Sequence, residues 1–235
     1  SKNEPIQVNT YFGQMPFVDV AMYMGVIIFF LGLFGIYVKR KDPFVQFLSF
    51  VILIFLIMSF GKNFPLLYNL FYDYFPFFNK FRVPSMILTV IQLTFPILAG
   101  FGIMQLIEMK KQNDLSLAKI LQITTILFGA AFTLSIVLSS SISSWYISHI
   151  QSSGEKGMRL QQIHQWMADV FTTDLTLAML FCAVAFGVLY LFIKNKLSAD
   201  LMIVLLLAFI LTDLFRVSSR GAHYSDSSGM ETVFA

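Results

Sequence analysis

Charge is scarce in this chain. Asp, Glu, Lys and Arg together make up 12% of its 235 residues, against roughly a quarter in ordinary soluble domains. With 57% of the residues hydrophobic, that scarcity excludes a water-soluble globular domain. A net charge of +3 is too small to make a nucleic-acid surface, so no nucleic-acid partner is expected. The single cysteine, Cys182, stands between Phe181 and Ala183 in an apolar run. It has no second thiol for a disulfide or a thiolate metal site, and it reads as a small packed residue. A phosphate-cradling glycine loop, a metal-ligand cluster and a nucleophile elbow are all missing. The sequence therefore implies no cofactor and no metal, and it names no catalytic residue.

The apolar residues fall into runs with a clear rhythm. Val18 to Val38 is nearly free of charge and stops at Lys39-Arg40-Lys41; Pro43 to Phe60 follows at once. Met86 to Ile107 ends near Lys110-Lys111, and Ala118 to Leu138 comes next. Leu175 to Ile193 ends at Lys194-Asn195-Lys196, and Leu201 to Leu214, the shortest, completes the set. Each run approaches the ~20 residues that carry a helix across a ~30 Å hydrocarbon layer. The fold expected is all-α: a polytopic membrane helix bundle of about six transmembrane helices, with external amphipathic or interfacial helices. Pro96, inside the third run, predicts a kink, and Gly100 and Gly102 after it permit close approach of a neighbour.

Lys and Arg are concentrated in the tight turns 39–42, 108–117 and 194–200, and diluted in the long connections 61–85 and 139–174. The positive-inside rule weighs short loops, which puts the tight turns in the cytoplasm and both ends of the chain outside. The expected organisation is an external segment over 1–17, a membrane bundle over 18–214 and an external tail over 215–235. The tail reads as the start of a further external domain, and the chain as a fragment of a longer membrane protein. Pro65 to Phe75 is too short to span and too apolar to be solvated, which suits a helix lying in the interface plane with its Tyr and Phe rings at headgroup level. In the second long loop, Ser139 to Ser144 reads as a turn. After it, Leu160, Ile163, His164, Met167, Val170 and Phe171 recur at helical spacing, opposite Gln161, Gln162, Gln165 and Asp169. That pattern predicts an amphipathic external helix ahead of the fifth span.

Candidate functional groups sit at the external ends of the spans. Lys62, Lys80 and Arg82 flank the aromatic segment, where cations can hold a lipid phosphate or diphosphate. Arg is suited to this because its planar fork makes two parallel bonds to phosphate oxygens. The alternative is that they are anchors snorkelling to the headgroups. Asp19 and Asp213 lie near the outer ends of the first and last spans, close enough to the interface to be wet. Helix capping, or Arg216 as partner of Asp213, accounts for them. His149 and His164 are possible acid–base groups, though His164, on the apolar face, reads as a packed imidazole. Asp169 and Asp174 read as helix-start residues.

Four strings carry a family resemblance: Tyr11-Phe12-Gly13-Gln14-Met15-Pro16-Phe17, Ser59-Phe60-Gly61-Lys62-Asn63, Phe78-Asn79-Lys80-Phe81-Arg82-Val83-Pro84-Ser85-Met86 and Leu211-Thr212-Asp213-Leu214-Phe215-Arg216-Val217. Together they resemble the bacterial YfhO-like membrane protein family, and the resemblance covers nearly the whole chain. It implies a multi-spanning protein of the GT-C glycosyltransferase type in the bacterial cytoplasmic membrane. Such enzymes take a sugar from a polyprenyl-phosphate donor on the outer side. The chain matches only the later membrane portion of the family, whose catalytic acid is typically upstream, so no catalytic residue is carried over. The alternative expectation is a non-catalytic membrane subunit that scaffolds partner subunits within a larger complex. A transporter fits less well, because the spans lack paired mid-membrane charges and matched broken helices. Membrane lipids are partners under every reading.

Overall fold

The computed structural model describes residues 23–60, 74, 87–151 and 164–219. Those residues form seven α-helices and, among them, no strand. We number the helices α1 (Val26–Val38), α2 (Pro43–Ser59), α3 (Leu88–Lys111), α4 (Ala118–Val137), α5 (Ser139–Gln151), α6 (His164–Ile193) and α7 (Ala199–Ser218). Four of them, α3, α4, α6 and α7, are long and apolar enough to cross a membrane. The chain is a multi-pass membrane protein. The described parts of the first two expected spans, α1 and α2, are shorter apolar helices of 13 and 17 residues.

Local chemistry sets the helix ends. The Asp42 carboxylate accepts the Phe44 and Val45 amides at 2.9 and 3.4 Å, with Pro43 in the first helical position, so α2 starts where its free N–H groups find an acceptor. Ser198 accepts the Leu201 amide at 3.3 Å and starts α7 in the same way. Both α3 and α6 stop at an asparagine in the left-handed region, Asn113 (φ 55°) and Asn195 (φ 59°). Beyond them Asp114 N–H donates to the Met109 carbonyl and Lys196 N–H to the Leu191 carbonyl, each at 2.9 Å. These six-residue closures satisfy carbonyls that the helix end would leave without partners.

The described residues divide into two compact units, one taking Ile126 to Ala183 and the other the stretches before and after it. In the larger unit α3 is the principal partner of α1. Gly32 faces the Phe95 ring, and Gly35 lies directly against the Leu98 carbonyl and Gly102. The numbering rises together on the two helices, so they run parallel. The contact is backbone on backbone: a Cβ on Gly102 would sit 2.8 Å from the Gly35 Cα. Such crossings need the absence of a side chain. Gly102 thus acts as expected, whereas Gly100 faces open space. Pro96 lies inside a helix that continues through it. α2 runs antiparallel to α3, with the Phe44 ring 5.7 Å from that of Phe101 and Val45 and Leu48 packed on Leu98. α7 runs antiparallel to α1, since Asp213 near its end reaches Tyr23 and Val26 at the start of α1.

In the smaller unit the Tyr146 ring of α5 stacks on Phe171 of α6 at 4.6 Å. Burial pushes the Tyr146 phenol up from its ordinary pKa, and the group is neutral.

Four sequence expectations change here. Ser139 to Ser144 is not a turn but the start of α5, where Ser144 Oγ donates to the Ser140 carbonyl at 2.9 Å. The amphipathic segment and the fifth span are one 30-residue helix, α6. Asp169 and Asp174 are therefore inside it rather than at a start. The last span, expected to be the shortest, is a 20-residue helix. The aromatic segment 65–75 lies outside the described residues except Tyr74, which is exposed.

Candidate functional site

The first residues of α1 pose a local problem. Gly25, at its N-cap, offers no side chain to the first free amides. The acceptor comes instead from a helix 187 residues away in sequence: Asp213 Oδ2 takes the Val26 amide at 2.9 Å, and Oδ1 takes the Tyr23 hydroxyl at 2.7 Å. Arg216, one turn later on α7, places its guanidinium 3.6 Å from Oδ1. The Asp213 side chain has no solvent exposure, while that of Arg216 keeps 19%.

Each contact makes physical sense. A carboxylate out of water needs donors on both oxygens. The start of a helix supplies an N–H and the positive end of a dipole. Gly25 has φ +90°, and a Cβ there would meet Asp213 Oδ2 and Leu214 Cδ2, both at 3.4 Å. The tight entry into α1 that lets the carboxylate in is thus a glycine conformation. The expectation of capping, with Arg216 as a partner, holds for Asp213. That of a wet carboxylate is corrected: protein atoms enclose it completely. The part played by Tyr23 had no local signal in the sequence. With both oxygens engaged by donors, the group holds α1 to α7.

At the opposite end of the unit lies a second built contact. Lys110, in the last turn of α3, donates to the Leu197 carbonyl at 2.9 Å and stands 3.8 Å from the centroid of the Phe192 ring. The ammonium meets a carbonyl just past the end of α6 and an aromatic face, both favourable to a cation. It joins the turn after α3 to the turn after α6.

In the smaller unit, His164 is buried, as its position on the apolar face implied. Gln165 and Asp169 are exposed on the other side, their side chains 3.3 Å apart. His149 is exposed and stacks on Trp145, and Cys182 is fully buried. Among the described residues no three His, Cys, Asp or Glu side chains gather where a metal ion would sit. The candidate phosphate-binding residues Lys62, Lys80 and Arg82, and the carboxylate Asp19, lie outside the described residues. Compared with protein-family models, with curated proteins and with solved structures, the chain matches none.

Proposed function

We propose that the chain is the membrane portion of a GT-C-like glycosyltransferase that uses a polyprenyl-phosphate-linked sugar, with Lys62, Lys80 and Arg82 at the lipid phosphate. One observation supports this reading: the helix ends that the four YfhO-like strings precede, follow or form in sequence, the starts of α1 and α3 and the ends of α2 and α7, lie at one end of the larger unit. Tyr11 to Phe17 ends six residues before Tyr23, at the start of α1. Ser59 and Phe60 close α2. Phe78 to Met86 leads into Ile87, the N-cap of α3. Leu211 to Val217 forms the last turns of α7, with Asp213 fastened to α1. The parallel course of α1 and α3 and the reversed course of α2 and α7 bring these four ends together.

In sequence, the cations stand close to these helix ends. Arg82 is five residues from Ile87 and Lys62 two from Phe60, at most about 18 Å and 7 Å of extended chain. A guanidinium and two ammonium groups that stand close to these helix ends in sequence would suit a phosphate headgroup whose prenyl tail lies in the bilayer. In the transfer step they would stabilise the charge that grows on the leaving phosphate. Arg82→Ala is expected to lower sugar transfer from the lipid-linked donor by about a hundredfold or more, in the full-length protein and with normal membrane insertion. Unchanged transfer by a normally inserted variant would remove Arg82 from this role.

A second reading, a non-catalytic membrane subunit, is favoured by the closed shell around Asp213, whose oxygens already hold the Tyr23 hydroxyl and the Val26 amide. Under it the protein purifies with a defined membrane partner, and its deletion leaves sugar transfer intact.

A further inference from the structure

The turns after α3 and α6 each carry basic residues, and the Lys110–Leu197 bond of 2.9 Å fastens one turn to the other. Lys111 follows Lys110 directly, and Lys194 and Lys196 precede Leu197 by three residues and one. All three are exposed. Lys110 is engaged with the Leu197 carbonyl and the Phe192 ring, so the joint is made without the other three cations.

The carboxylates of the same turns do not neutralise them. Glu108 accepts the Gln112 side-chain amide at 3.0 Å, and Asp114 accepts the Ser116 amide at 2.9 Å. Asp200 sits in the first turn of α7, where the helix dipole favours it. Among the described residues no carboxylate lies within ion-pair distance of Lys111, Lys194 or Lys196. Beside the cluster the surface turns apolar: Leu191 is 44% exposed and Leu201 46%. The Tyr190 ring lies 6.0 Å from the Lys194 ammonium, the arrangement of an aromatic side chain at headgroup level.

We propose that these joined turns form a binding site for an anionic phospholipid. Its phosphodiester sits among Lys111, Lys194 and Lys196, and its acyl chains run along Leu191 and Leu201. The occupant is argued from charge complementarity next to an apolar flank: a soluble anion would use the cations and ignore the leucines, and a zwitterionic lipid would use the leucines and gain little from the cations. The site shares no residue with the one offered for the sugar donor and does not rest on that reading.

The test uses the full chain in bilayer nanodiscs of phosphatidylcholine and phosphatidylglycerol, followed by native mass spectrometry of the lipids that remain bound after release. Wild type is expected to retain phosphatidylglycerol over phosphatidylcholine. Lys111→Gln/Lys194→Gln/Lys196→Gln, confined to exposed positions, is expected to lose that preference by about tenfold or more, since each cation near an anionic headgroup contributes a several-fold factor. Lys39→Gln/Arg40→Gln/Lys41→Gln removes equal charge from the turn between α1 and α2 and is expected to keep it. Equal retention by wild type and the first variant overturns the site. So does equal loss in both variants, which would mean attraction spread over all basic turns.

Discussion

Asp213 and Lys110 occupy opposite ends of the same unit and meet similar demands with opposite charge. At one end the first amides of α1 need an acceptor and receive a carboxylate. At the other a carbonyl beyond the end of α6 needs a donor and receives an ammonium. In both cases the charge comes from another helix, and the carboxylate also agrees in sign with the start of the helix dipole it faces. The two differ in how fully they are enclosed. Asp213 is completely buried and draws on a hydroxyl, an amide and a guanidinium. Lys110 is partly exposed and has one carbonyl and one ring. Side-chain length accounts for this. A carboxylate on a single methylene cannot reach water and must be matched where it stands, whereas an ammonium on four methylenes can lay its stem on apolar surface and keep its head near the aqueous edge.

That asymmetry sets the order of mutational effects. Asp213→Leu strands the Tyr23 hydroxyl, the Val26 amide and the Arg216 guanidinium together. It is expected to lower stability by about 3–5 kcal/mol, as removing one partner of a buried charge pair does; thermal unfolding in detergent or nanodiscs measures it. Gly25→Ala keeps the carboxylate but forces a side chain into φ +90° and against Oδ2. Its expected cost is about 1–3 kcal/mol by the same measurement. Lys110→Met keeps the stem over Phe192 and loses the charge, for about 1–2 kcal/mol. A Lys110 effect as large as that of Asp213 would mean that both ends are equally enclosed, contrary to the account given above.

Much of this fold was legible in the sequence, because burial in a bilayer writes long apolar runs that survive any detail of packing. The breaks between runs were less legible. Thr172, Thr173 and Asp174 look like an interruption, yet α6 passes through them. Thr172 Oγ1 donates to the Ala168 carbonyl at 2.9 Å and Thr176 Oγ1 to the Thr172 carbonyl at 2.8 Å. Hydroxyls that bond back to the preceding turn add polarity without ending a helix, and the serines of α5 do the same. In the candidate site, Arg216 could be paired with Asp213 from spacing alone. Tyr23 and Val26 could not, since nothing local marks a contact across 190 residues. Gly102 was readable as a contact position and Gly35 was not, for the same reason: a glycine shows that space is available but not which neighbour fills it.

The crossing of α1 and α3 has a genetic consequence. At Gly35 the Leu98 backbone stands where any side chain would begin. Every other amino acid encoded by the genetic code begins with a Cβ, so no mutation that replaces glycine here leaves the contact intact, and only the synonymous third-position changes of the codon do. Gly100, with open space around it, carries no such restriction. Of two glycines on one pair of helices, one is free to drift, and the other is fixed because no other encoded residue lacks a Cβ.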